Sequence, residues 1–127
     1  SKDCLPLSAA GLLGRARAQM ESDAPTESVL ATLRAGVAMA EAGSPVSVEL
    51  AVATSETLAA ASRPKEALAA VQTALAAGAG VRHVELVQFA ARLSAPLGGC
   101  AVAAPWLLDS ARSLGISCDQ QEPPAQP

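Results

Sequence analysis

Glycine and proline cut this chain into pieces of helix length, and that punctuation limits its folds more than any other feature. Breaks fall at Ser22-Asp23-Ala24-Pro25, Gly43-Ser44-Pro45, Ser62-Arg63-Pro64, Gly78-Ala79-Gly80, Pro96-Leu97-Gly98-Gly99 and Gly115. The stretches between them run about 13 to 17 residues, an ordinary helix length. They are made of helix formers. The chain of 127 residues holds 30 Ala and 16 Leu, against 10 Val, one Ile, one Phe, one Trp and no Tyr. So few β-branched and aromatic side chains argue against an all-β fold. Six helical segments are expected, near 8–21, 26–42, 47–61, 64–77, 82–95 and 101–114.

Local signals agree with these cuts. Pro25, Pro45 and Pro64 fall at or beside helix starts, where a missing N–H costs nothing. Thr26, Ser44 and Ser62 are candidate N-caps, and Gly43, Gly78 and Gly115 stand where a left-handed residue ends a helix. Pro105 is out of place inside the last segment, so that helix either starts near Ala104 or carries the proline in its first turns. Apolar residues recur at three and four: Leu68, Val71 and Leu75; Leu86, Ala90, Leu93 and Leu97; Leu107, Ala111 and Leu114; Val29, Leu33 and Val37, with Leu30 alongside. Alanine flanks these stripes, so tight antiparallel pairs are expected.

The breaks are also periodic. Gly43 to Gly78 is 35 residues and Gly78 to Gly115 is 37, while Val48-Glu49-Leu50 returns as Val84-Glu85-Leu86 after 36. Three offsets that coincide with helix boundaries predict a repeated helical hairpin, paired as 8–42, 47–77 and 82–114. Residues 1–118 are then one domain, and 119–127 a polar, proline-rich tail.

Ala61-Ser62-Arg63-Pro64-Lys65-Glu66-Ala67-Leu68 resembles the turn and second-helix start of the tetratricopeptide and pentatricopeptide repeats, and Gln72-Thr73-Ala74-Leu75 resembles a tetratricopeptide phrase. Ser55, Ala67 and Ala74 fall where that family wants small residues. The likeness is best over 48–81. It departs at Leu58 and Val71, where aromatics are usual, and in lacking a proline after Leu75. The resemblance implies an all-α, right-handed stack of three antiparallel hairpins whose first helices line a concave groove. It implies a partner helix or peptide in that groove. The groove residues would be Glu49, Val52, Ala53, Glu56, Glu85, Gln88, Phe89 and Arg92. Carboxylate-clamp positions of the family carry Glu49, Val52, Ala53 and Glu56 here, so that clamp is absent, and an amphipathic helix with some basic residues is the expected guest. The pentatricopeptide alternative would bind RNA, in an organelle. Its base-reading places carry Ala53, His83 and Gln88, of which only Gln88 suits a base, although a one-residue shift would bring Thr54 or Ser55 there.

Charge and chemistry narrow the classes further. A net charge of -3 and scattered basic residues disfavour nucleic acid. The longest uncharged run, Leu93 to Leu108, is broken by Pro96, Gly98, Gly99 and Pro105, so no membrane span is expected. The only His, His83, is expected as a solvated residue at a helix start. No nucleophile–base pair, phosphate loop or metal-ligand spacing stands out, so no enzyme, cofactor or metal is expected. Glu49 and Glu56 share a helix face at a spacing of seven, which reads as a solvated or partner-facing surface. Trp106 is expected as a core anchor. The start Ser1-Lys2-Asp3-Cys4, without Met or an apolar leader, reads as a processed or excised chain. Cys4, Cys100 and Cys118 read as buried free thiols in a reducing, intracellular compartment, cytoplasm or organelle matrix. One disulfide with one thiol left over is the alternative.

Overall fold

Serine and proline start the helices as their chemistry allows. The Gly11 N–H donates to Ser8 Oγ at 2.9 Å and the Ser47 N–H to Ser44 Oγ at 3.2 Å, closing the open ends of two helices. Pro45, Pro64 and Pro105 each occupy a first helical position. In the computed structural model, which describes residues 8–78 and 80–116, seven helices follow: α1 Ala9–Glu21, α2 Thr26–Met39, α3 Pro45–Ala60, α4 Pro64–Ala76, α5 His83–Ser94, α6 Cys100–Ala103 and α7 Pro105–Leu114. Short 3-10 turns lie at Gly80–Arg82 and Ala95–Leu97. No strand occurs among the described residues. The expected tail at 119–127, Cys4 and Cys118 lie outside them.

The helices pair as neighbours in sequence: α1 with α2, α3 with α4, and α5 with α7. Links between pairs run from α2 to α3, from α1 to α3 and from α4 to α5. The expected all-α class is therefore present among the described residues. The expected sixth helix, 101–114, is not continuous. Ala104 is extended at φ -161° and ψ 98°, because the ring of Pro105 crowds a helical residue before it. Two expected caps also differ. Thr26 is the first residue of α2, behind Pro25, and Ser62 takes φ 62° as the residue that ends α3.

That residue belongs to a turn that also ends α7, at Gly115 and Ile116, and that follows each of α1, α3 and α5. The Ala24 N–H donates to Gln19 O, Arg63 to Leu58 O, and Gly99 to Ser94 O, each at 2.9 Å and each spanning five residues. The residue before each donor is left-handed: Asp23 at 61°, Ser62 at 62° and Gly98 at 104°. This bond, with its left-handed residue, satisfies carbonyls that the end of a helix leaves open.

Two groups of buried side chains fill the stack, and α3 divides them. Leu50, Ala53 and Leu58 join Val29, Leu30 and Leu33 of α2 and Ala16 of α1. Val48, Ala51 and Val52 join Leu68 and Val71 of α4, Leu86 and Val87 of α5, and Leu107 of α7. A helix with apolar residues on more than one side must be covered on more than one side, and α3 is, with Glu56 left on its open face. The stripe expected through Val37 turns one residue earlier: Val37 is 51% exposed, and Gly36 faces α3 instead. A Cβ at Gly36 would lie 2.8 Å from Leu50 Cδ2, so the bare backbone is what lets Leu50 seat there. Ser55, fully buried as the small-residue position suggests, donates to Val52 O at 2.7 Å and leaves no polar atom wanting.

Cys100 is buried, as expected, but it is disulfide-bonded rather than a free thiol, with its partner outside the described residues. The alternative of one disulfide among three cysteines therefore replaces the free-thiol reading. No described helix is long and apolar enough to cross a membrane.

Candidate functional site

The first helices of the three hairpins, α1, α3 and α5, are joined along one face by charge. Glu49 on α3 receives Arg17 of α1 at 3.4 Å and Arg82, at the foot of α5, in a direct ion pair. Arg82 also donates from Nε to Glu85 Oε1 at 3.1 Å. The hydrogen bond that Arg82 donates to Glu49 holds its guanidinium above its ordinary pKa, against the opposing effect of partial burial. Glu49 is therefore not the open groove carboxylate expected from the sequence. It is a cross-brace.

The other expected groove residues divide by depth. Val52 and Ala53 are 3% and 0% exposed and pack in the core, with Val52 surfacing only at the floor of a pocket. The reason is that α3 lies between two hairpins and has little outward face. Glu56, Glu85, Gln88 and Arg92 are exposed, and Phe89 is half-buried against the core. Arg92 carries its guanidinium carbon 5.7 Å from the centre of the Phe89 ring, within cation–π range. A shallow pocket of about 160 Å³ opens between α3 and α5, with Val52 and Leu86 in its lining and Glu56, Arg82, Glu85, Phe89 and Arg92 around it. The structure thus brings Glu56 from α3 to one pocket with Glu85, Phe89 and Arg92 from α5, while Gln88 is exposed on α5 but does not line it.

Arg17 and Arg82 were missed by the sequence reading. Arg82 had a signal, standing three residues before Glu85, a spacing that pairs charges along a helical turn. Arg17 had none, because its partner lies 32 residues away on another helix. On the opposite side Arg63 bridges Glu66 at 2.5 Å and Glu27 at 2.9 Å, tying α4 to α2. The Glu66 and Glu27 bonds raise the Arg63 pKa, and Arg63 in turn lowers that of Glu66.

His83 is the first residue of α5, as expected, and no cluster of His, Cys, Asp and Glu able to hold a metal occurs among the described residues. Trp106 is only half-buried, and Leu107 beside it is the fully buried anchor. The class that the fold defines is an all-α protein whose described residues form seven helices packed against one another, compatible with a helical repeat. Compared with protein-family models, with curated proteins and with solved structures, the chain matches none.

Proposed function

We propose that this chain is a non-enzymatic protein-binding module, an adaptor or assembly subunit of degenerate tetratricopeptide-like build. Its surface between α3 and α5 receives a helix or peptide of another protein. The observation that carries the reading is the half-buried Phe89, ringed by Glu56, Glu85 and Arg92 on a face where successive hairpins meet. An aromatic ring with apolar floor and charged rim is the usual make-up of a protein contact. The recurrence of one turn after α1, α3 and α5 supports a repeated hairpin, and stacked hairpins build surfaces rather than deep clefts.

The RNA alternative lacks a comparable support. Phosphate binding draws on a basic surface, whereas the chain carries a net charge of -3 and three of its nine cations, Arg17, Arg63 and Arg82, are already paired with carboxylates. Cross-linking in native lysate, with ribonuclease as a control, tests both readings. Wild type should capture a protein that survives ribonuclease, and Phe89→Asp and Glu56→Arg should each reduce capture at least about tenfold with helicity kept. Capture abolished by ribonuclease, or indifferent to both substitutions, would overturn the proposal.

A further inference from the structure

Three hollows lie in line where α3 runs beside α5, and the pocket at Phe89 is the middle one. The lowest, about 320 Å³, is walled by Pro45, Val48 and Glu49 at the start of α3 and by Gly80 and Arg82 at the foot of α5. The highest, about 400 Å³, lies between Ala59 and Ser62 at the end of α3 and Arg92, Leu93 and Pro96 at the end of α5. Starts meet starts and ends meet ends, so the two helices run in the same direction along the hollows. The wall residues Val48, Val52, Glu56 and Ala59 recur at three and four, as do Glu85, Phe89 and Arg92, so each set is one face of its helix. From Val48 to Ala59 the trough is about 17 Å long at the helical rise, room for about three turns of a guest helix.

Two arginines divide this trough. Arg82 lines both the lowest and the middle hollow, and Arg92 both the middle and the highest. Their charges are balanced differently. Arg82 belongs to the series Arg17, Glu49, Arg82, Glu85, in which two cations meet two carboxylates and each has a partner inside the fold. The Arg92 guanidinium has only the Phe89 ring beneath it. Neither the Arg92 side chain nor that of Glu56, which shares the middle hollow, makes an ion pair or hydrogen bond among the described residues. The three glutamates that give this face an acidic look in the sequence therefore reduce to one open carboxylate, Glu56, accompanied by one open guanidinium, Arg92.

A guest that covers the middle hollow takes both open groups out of water, and a charge desolvated without a partner is costly. Glu49 and Glu85 make no such demand, because Arg17 and Arg82 already answer them. Resting on the reading of this surface as a protein contact, we infer that the trough selects a partner segment by one pair of opposite charges. The segment places a side-chain carboxylate on Arg92 and a cation on Glu56. Apolar side chains on either side of that pair fill the lowest and highest hollows. The guest is thus charge-balanced, not the basic helix that the sequence suggests, and its charges fall at the upper half of the trough.

The test selects peptides from a displayed random library on the full chain, with circular dichroism of each variant alongside. Peptides won by the wild type should carry an acidic and a basic residue together among apolar ones. Arg92→Glu leaves two open carboxylates and should win basic peptides, whereas Glu56→Arg leaves two open guanidiniums and should win acidic ones. In fluorescence anisotropy a wild-type peptide should bind Arg92→Glu at least about tenfold more weakly, and exchanging its acidic residue for Lys should restore most of that loss. Basic peptides alone from the wild type, or one charge pattern from all three proteins, would overturn the inference. Phe89→Asp separates it from the reading beneath it. If selection needs Phe89 but ignores charge, the inference fails and the protein contact stands. If the wild type wins no peptides, or Phe89→Asp wins the same ones, both fail. Neither Glu56 nor Arg92 is ion-paired to another helix, so both charge variants should keep wild-type helicity. Loss of helicity in both would show that these charges hold the fold, which also overturns the inference.

Discussion

The first two hairpins and the third begin alike and finish differently. All three first helices end in the same five-residue bond and left-handed residue, at Asp23, Ser62 and Gly98. Two residues later the first two reach Pro25 and Pro64 and launch unbroken helices of 14 and 13 residues. The third reaches Cys100 and makes a helix of four, then restarts at Pro105 for ten. A turn therefore decides that a chain reverses, but not what it reverses into. Continuity of the return depends on where proline stands. At or just before the first helical position it starts a helix. Five residues further on it interrupts one.

The largest expected effect tests whether the second hairpin is core to both neighbours. Leu68→Asp puts a charge among Val48, Val71 and Leu86 and should cost more than about 3 kcal/mol, enough to unfold a small domain. Phe89→Asp, half in solvent, should cost less than about 1 kcal/mol. Urea titrations of both variants check the contrast, and equal losses would move Phe89 from the surface into the core.

Next in size is the joint between the first and second hairpins. Gly36→Leu forces a side chain against Leu50, itself fully buried and unable to retreat. Overpacking of this kind costs about 1–3 kcal/mol. The better helix propensity of leucine returns less than about 1 kcal/mol. A net fall in thermal midpoint is expected, and a rise would mean that the two hairpins separate more easily than their contacts imply.

Smaller changes compare the turns directly. Asp23→Gly and Ser62→Gly relieve a left-handed side chain that costs about 1–2 kcal/mol. The added freedom of glycine in the unfolded chain offsets about 0.5–1 kcal/mol. Each should stabilise slightly, by under about 1 kcal/mol. Gly98→Ala goes the other way, because its new Cβ meets Val102 at 3.2 Å in a backbone conformation alanine resists. Calorimetry on the three variants would show whether one turn geometry serves all three hairpins.

The smallest effect concerns the Arg63 bridge. Glu66 titrates below its ordinary range in the folded chain, chiefly through its hydrogen bond to Arg63. Its contribution is therefore complete above the unfolded carboxylate pKa and disappears as pH falls through the lower folded value. The pair is solvent-exposed, so the acid-side loss of melting temperature should be slight and should vanish in Arg63→Ala. An identical acid limb in wild type and variant would show that the bridge contributes nothing.

Much of the fold could be read from residues whose effect is local. Pro45, Pro64, Gly43 and Gly115 act on their own backbone, and the helix boundaries they imply are close to those found. What was not legible depends on crossings between helices. Val37 and Gly36 fit the same stripe equally well until α3 lies across it, and only then does the bare position win. Glu49 reads as an open carboxylate until Arg17 and Arg82 arrive from helices on either side. Val52 and Ala53 were placed on the groove because one face of α3 was assumed to be outward, whereas neighbours on both sides cover it. Asp23 and Ser62 gave no glycine to mark their left-handed turns.

The missing side chain at Gly36 works as a mechanical detent. Leu50 drops into it as a pawl drops into a notch, with Leu12 Cβ along one wall. Val29, Leu30 and Leu33 fill the rest of the joint, so a slide of one helix past the other would lift Leu50 out of the one position without a side chain. The alignment of the first hairpin against the second, and with it the reach of Arg17 toward Glu49, is indexed by an absence that no count of contacts would reveal.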